Sequence, residues 1–237
     1  MEPSMTDAAN RDELKKAAAR AAAELVDDGM VIGLGTGTTA AFLVAVLGAR
    51  VRGGLKIIGI PTSERTAAQA IQEGIPLATF ADYQRIDLTI DGADEILAGT
   101  LDLIKGAGGA LLREKIVAAA SNRMAVISDG SKLVQRLGSV FAVPVEIVPF
   151  GWEATASRLR DRADEVKLRL VQGGGAPYVT DGGHYIVDCR FSAIPDPAAL
   201  ERELSQMVGV VESGLFVGLA TEALIAEPGG VRRLVRS

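Results

Sequence analysis

Short apolar runs at residues 30–34, 56–60, 86–90 and 124–128 alternate with stretches of helix-forming composition, and this alternation restricts the possible folds more than any other feature of the chain. The runs at 86–90 and 124–128 are each apolar enough to be covered on both faces, and strands that alternate with helices build a parallel, doubly wound sheet. The helices are expected at residues 12–26, 40–50, 63–73 and 110–121. The first is rich in Ala, Leu, Glu, Lys and Arg, has Asn10 or Asp12 as a cap and stops at Gly29. Gly74-Ile75-Pro76 is the turn out of the third.

From residue 140 the pattern changes. Short strands at residues 145–148, 166–170, 178–180 and 185–188 are punctuated by Gly173-Gly174-Gly175 and Asp181-Gly182-Gly183, with helices at 152–162 and 197–207. This predicts a smaller α+β lobe. The chain then returns to the first unit through residues 215–220, 223–226 and 231–235, so the expected division is 1–141 with 215–237 against 142–214.

Composition narrows the class of function. The 237 residues are 48% hydrophobic, enough for a sizeable core. A net charge of -5 with interspersed signs, and only 4% aromatic residues, exclude a nucleic-acid footprint. Cys189 is the single cysteine, so neither an intramolecular disulfide nor a cysteine-based metal cluster can form. The start of the chain is polar and no later run suits a bilayer span. A cytoplasmic protein with no membrane partner is expected.

Chemistry concentrates where the third apolar run ends, at Asp91-Gly92-Ala93-Asp94-Glu95. Carboxylates would emerge there at the C-terminal edge of a sheet, where open α/β sheets bind ligands. Three crowded carboxylates raise one another's pKa, which suits acid–base work and metal binding alike, while a solvated acidic turn has the same composition. Lys105 adds a counter-charge, and Gly106-Ala107-Gly108-Gly109 precede a helix whose first amides favour oxyanions. Glu114 falls about one turn into that helix, where the positive end of the dipole would keep it ionised as a base; its ordinary role would be that of an exposed helix residue.

The first strand leads into Gly35-Thr36-Gly37-Thr38-Thr39 and then a helix. Such a loop can direct backbone amides and the hydroxyls of Thr36, Thr38 and Thr39 at a phosphate, or can be a tight turn needing positive φ. It lacks the third glycine of the dinucleotide fingerprint and the Lys-Ser/Thr pair of a P-loop. Lys15, Lys16 and Lys132 have the character of solvated lysines, with phosphate binding the alternative for Lys132. His184 suits a turn, and Trp152 and Cys189 suit packing.

These motifs resemble those of type A ribose-5-phosphate isomerase. The resemblance is carried by Asp91-Gly92-Ala93-Asp94-Glu95, Ile104-Lys105-Gly106-Ala107-Gly108-Gly109-Ala110 and Arg113-Glu114-Lys115, and extends from Asp12-Glu13-Leu14-Lys15-Lys16 through Pro61-Thr62-Ser63-Glu64-Arg65-Thr66 and Ser128-Asp129-Gly130-Ser131-Lys132 to Gly214-Leu215-Phe216. It implies a Rossmann-like domain with a ferredoxin-like lobe, a homo-oligomer (dimer or tetramer), and interconversion of ribose 5-phosphate and ribulose 5-phosphate with no metal or organic cofactor. It implies Glu114 as the base that moves the carbon-bound proton, Asp91 as the group handling hydroxyl protons with Asp94 assisting, and Lys105 with the amides of Gly106, Ala107 and Gly108 at the enediolate. Thr36, Gly37, Thr38, Thr39, Gly92, Ala93, Lys132 and Lys15 carry over as substrate-binding positions. The competing expectations are a non-catalytic sugar-phosphate sensor, a dinucleotide-dependent dehydrogenase and a CoA transferase.

Overall fold

The computed structural model describes residues 5–236. Its first unit contains β1 (Val31–Leu34), β2 (Ile58–Pro61), β3 (Leu88–Asp91), β6 (Met124–Asp129), β13 (Glu222–Glu227) and β14 (Gly230–Val235) in one sheet, ordered β14-β13-β6-β3-β1-β2. All neighbours are parallel except β14, which closes the edge as an antiparallel hairpin with β13. The helices are α1 (Met5–Ala23), α2 (Thr38–Arg52), α3 (Glu64–Gln72) and α4 (Leu111–Ala119).

The period of two along each strand decides which helix covers which face. Ile32, Leu34, Leu88, Ile90, Ala125 and Ile127 pack on one side with Ala18, Ala19 and Ala22 of α1 and Leu43 and Leu47 of α2. Small alanines let α1 approach the sheet closely. On the other side Val117 of α4 meets Val31, Ile60 and Ile86, and Ala118 joins Met124, Val126 and Ile225. Because β2 and β3 leave β1 in opposite directions, the switch point of the sheet lies between β1 and β3, with the carboxyl ends of both opening onto one crevice.

The second unit is an antiparallel sheet, ordered β11-β8-β10-β9, of β8 (Val143–Ile147), β9 (Glu165–Leu168), β10 (Tyr185–Arg190) and β11 (Val210–Ser213), with α5 (Trp152–Arg160) after β8 and α6 (Pro197–Ser205) after β10. This βαββαβ succession is the ferredoxin-like arrangement. Its core holds Val145, Ile147, Val187, Cys189, Leu159 and Leu204.

A third, small sheet, β12-β5-β4-β7, joins the two units. It comprises β4 (Glu95–Leu97), β5 (Leu103–Ile104), β7 (Leu133–Val134) and β12 (Leu215–Phe216), none longer than three residues. Ile104 and Leu215 pack into the core of the ferredoxin-like sheet, while Ile96, Leu103 and Phe216 pack against the main sheet. The two cores are thereby stitched together beside the carboxylate motif.

Two sequence expectations need correction. Residues 178–180 form no strand and make only an isolated bridge between Val179 and Tyr185, beyond the three glycines and Pro177. The fourth strand of the lobe is instead β11. Of residues 215–220 only Leu215–Phe216 is extended, and it pairs with β5, not with the main sheet. Among the described residues no helix is long and apolar enough to cross a membrane.

Candidate active site

The crevice holds a cavity of about 420 Å³ between the ends of β1, β3 and β6 and the loop before α4. At its floor Lys105 is buried with its ammonium 3.0 Å from Asp91 Oδ2 and 3.3 Å from Glu114 Oε1, and it donates to the Gly92 carbonyl at 2.6 Å. Asp91 is 0% exposed, Lys105 2% and Glu114 3%, so the interaction runs through protein and not water. The Asp91 Oδ1 atom accepts from the amides of Thr36 at 3.1 Å and Gly92 at 2.7 Å. Its Oδ2 is at ion-pair distance from Lys105 but outside hydrogen-bond alignment, and Glu114 Oε2 is buried with no hydrogen-bond partner among the described residues.

The approach of loop to carboxylate explains Gly35. A Cβ there would stand 2.2 Å from Asp91 Oδ1, so any side chain would push the β1 loop off the acid. The backbone amide of Thr36 can reach Asp91 because Gly35 lacks one.

Burial acts in opposite directions on the charges of this cluster. It raises the Glu114 carboxyl to about 8, against the pull of Lys105, with Asp91 and Asp94 pushing the same way as burial. Asp91 is raised above the usual carboxylate range, again chiefly by burial and against Lys105. For Lys105 burial alone would lower the pKa, but the attraction of Asp91 and Glu114 overrides it and holds the ammonium above its ordinary value. Position near the helix start was expected to keep Glu114 ionised; burial instead raises its carboxyl above the usual carboxylate range.

Another part of the cavity wall favours an anion. Helix α2 is preceded by Gly37 as its N-cap, with φ of 119° and no side-chain cap, so its first amides remain open where Thr38 and Thr39 line the cavity. Lys15, Lys132 and Arg11 line the same space, Lys15 paired with Asp12 at 3.1 Å and Lys132 stacked 4.4 Å over the Phe141 ring.

The cavity gathers Lys15, Thr36, Gly37, Thr38, Thr39, Gly92, Ala93, Asp94, Lys105, Gly106, Gly108, Glu114 and Lys132. Asp91 lies beneath its wall and Ala107 beside it, the Ala107 amide donating to Asp94 Oδ2 at 2.9 Å. The Thr36 hydroxyl points inward, donating to Ser63 Oγ at 2.8 Å and lying 2.7 Å from Thr62 Oγ1 and 3.2 Å from Thr66 Oγ1. What Thr36 offers the site is backbone.

Glu95 parts from the other two acids. It turns away to accept from the amides of Gly138 (2.7 Å), Val140 (2.6 Å) and Phe141 (2.8 Å), an anchor for the loop before β8. His184 stands 3.0 Å from Glu146 Oε1 in the lobe, Lys16 pairs with Glu13, and burial with Asp188 pushes the Cys189 thiol up to about 12. Arg11, Asp12, Ser128, Asp129 and Ser131 also line the cavity. Asp12, Ser128, Asp129 and Ser131 belong to motifs that carry the resemblance, while Arg11 had only its position before Asp12.

Comparison with known proteins matches this chain over residues 58–230 to the family model of ribose 5-phosphate isomerase A (phosphoriboisomerase A). The chain belongs to the ribose 5-phosphate isomerase A family. It is 60% identical over 226 residues to ribose-5-phosphate isomerase A of Gloeobacter violaceus, covering 95% of this chain and 97% of that one. It is 56% identical over 230 residues to the Synechococcus sp. protein of the same name, covering 97% and 100%. Among solved structures, D-ribose-5-phosphate isomerase in complex with phospho-erythronic acid superposes with a TM-score of 0.92 at 38% identity, covering 95% of this chain and 99% of that one. Ribose 5-phosphate isomerase A of Methanocaldococcus jannaschii gives 0.91 at 41% identity with the same coverage. The family's α/β fold, a parallel sheet with a smaller lobe, is the one described above.

Proposed function

We propose that this chain interconverts D-ribose 5-phosphate and D-ribulose 5-phosphate through an enediol(ate), with Glu114 as the base. One observation carries the assignment: a buried carboxylate with an unpartnered oxygen opens on the cavity 3.3 Å from a buried ammonium. Base and electrophile are thus held as a pair. Family membership supplies the substrate.

The phosphate is taken by the start of α2 with Lys15 and Lys132, which line the same cavity as Lys105, and this anchor orients the reacting carbons. Ionised Glu114 removes the proton from C2 of the open-chain aldose and returns it to C1. As it does so, negative charge builds on the carbonyl oxygen, and Lys105 and the Gly108 amide stabilise it there. Asp94, at the cavity wall, exchanges hydroxyl protons: it opens the ring and then carries the O2 proton to O1, so that C2 becomes the carbonyl carbon as C1 is protonated. Asp91, expected to handle hydroxyl protons with Asp94 assisting, is fully buried beneath the wall and is read instead as holding the ammonium at the site. No step draws on a metal.

The reading extends to a cytoplasmic homo-oligomer, dimer or tetramer, with no nucleic-acid or membrane partner, as resemblance and composition suggest. It also takes residues 142–214 as a lobe set on a catalytic unit of 1–141 and 215–237. The separate antiparallel sheet of β8 to β11 supports that division.

The deciding experiment is conversion of ribose 5-phosphate to ribulose 5-phosphate in excess EDTA, with Glu114→Gln alongside. Turnover that survives the chelator and falls by about 10²–10⁴-fold in the variant is expected. A wild-type protein that shifts its melting temperature with sugar phosphate but converts none would instead be a sensor.

A further inference from the structure

The enediolate side of the site is built on a loop that does not hold itself. Gly106 and Gly109 sit at φ of 107° and 79°, and the single bond inside the turn runs from the Gly109 amide to the Gly106 carbonyl at 3.0 Å. Two of its carbonyls are gripped from outside. Arg169, just past β9 in the ferredoxin-like sheet, donates from Nη1 to Gly106 O at 2.7 Å and to Ala107 O at 3.3 Å. The rest of the guanidinium is fixed by Asp188 on β10, which accepts from Nε at 3.0 Å and from Nη2.

A trans peptide points its C=O and N–H in opposite directions, so fixing a carbonyl aims the following amide. With Gly106 C=O turned to Arg169, the Ala107 N–H faces the other way and meets Asp94 Oδ2 at 2.9 Å. With Ala107 C=O turned the same way, the Gly108 N–H faces away from the guanidinium, on the side where Gly108 lines the cavity. A positive charge on the carbonyl end also polarises each peptide and strengthens its N–H as a donor.

We infer that Arg169, locked by Asp188, is a positioning residue for the isomerisation: from the neighbouring lobe it aims the amides of Ala107 and Gly108 at Asp94 and at the enediolate oxygen. Arg169 is absent from the lining of the 420 Å³ cavity and borders a separate one of about 390 Å³ with Asp94, Ala107 and Asp188, so it acts on the reaction only through the loop. The fork is essential to this role. A lysine ammonium cannot span two carbonyls and a carboxylate in one plane.

The inference rests on the isomerase reading, and the test separates the two. Turnover of ribose 5-phosphate is measured for wild type, Arg169→Ala, Arg169→Lys and Asp188→Asn, with the unfolding midpoint of each and with methylguanidinium added. Arg169→Ala is expected to lower kcat by about tenfold or more with KM within about twofold, since donors to the transition state are disturbed and the phosphate anchor is not. Methylguanidinium should restore several-fold of that loss, because the vacated space opens on the adjoining cavity. It should do nothing for wild type. Arg169→Lys keeps a cation beside Asp188 and is expected to fold normally yet show the same loss in kcat, which carries the test if the alanine variant is unstable. A fall in kcat matched by equal changes in KM and unfolding midpoint, with no rescue, would overturn the inference, as would full activity in Arg169→Lys. A wild-type protein that converts no substrate would overturn the isomerase reading and this inference with it.

Discussion

Replacing Glu114 with glutamine should make the protein less active and more stable, by an amount that depends on pH in a defined direction. In the folded protein burial raises this carboxyl from 4.5 to about 8, so the native state binds its proton more tightly than the unfolded chain does. Below pH 4.5 both states are protonated and the site costs nothing. As pH rises through the window from 4.5 to 8 the unfolded chain ionises first, and native stability is lost progressively. At 1.36 kcal/mol per unit, the cost is below about 1 kcal/mol at pH 5, about 3 kcal/mol at pH 7, and levels off near about 5 kcal/mol above pH 8. Glutamine has the shape without the titration. The stability gap between Glu114→Gln and wild type should therefore widen from pH 5 to 8, reaching a melting-temperature difference of about 6–12 °C at pH 7. The assay is urea and thermal unfolding at fixed protein concentration across that range. A gap that stays flat with pH, or a variant less stable than wild type at pH 7, would refute the claim that desolvation dominates at Glu114.

The same shift predicts that kcat/KM rises with pH on a limb near 8, because the free enzyme must first ionise Glu114; a limb at 4 to 5 would mean an unperturbed base. Lys105→Ala strands two buried carboxylates, so it should cost about 3–5 kcal/mol of stability and lower turnover far more than it weakens binding; a change confined to KM in steady-state kinetics would make Lys105 a binding residue. Thr36→Val should cost about 1–3 kcal/mol in unfolding experiments while leaving KM for the sugar phosphate within about threefold, since its hydroxyl serves Ser63, Thr62 and Thr66. A large rise in KM without loss of stability would put that hydroxyl on the substrate.

What could be read from the sequence was what obeys a local rule. The parallel sheet was legible because its strands are continuous apolar runs between helices, and Lys105, Asp94 and Glu114 because their motifs sit at strand and helix ends. The third sheet was not, because strands of two or three residues such as Leu103–Ile104 carry no periodicity. Nor was the fate of Glu95, whose neighbours in sequence face the cavity while it reaches 43 residues ahead to the Gly138 amide. Thr36 misled for the same reason. A hydroxyl in a glycine loop suggests phosphate, yet its partners are 26, 27 and 30 residues away. Arg169 lies 63 residues from the carbonyl it grips, in a segment with no motif of its own.

The hairpin of β13 and β14 also bears on how this sheet avoids growing. A parallel sheet leaves rims of unsatisfied amides and carbonyls that would accept a strand from another chain. Here β13 is almost wholly buried, while β14 beside it is largely exposed, with Arg232 and Arg233 projecting into ion pairs with Glu227 and Glu222. A reversed, doubly cationic strand thus forms the outer border of an apolar sheet. Stripped of β14, the run from Ala223 to Ala226 would become an open template, and the harm would register as aggregation well before any change in the chemistry of the crevice.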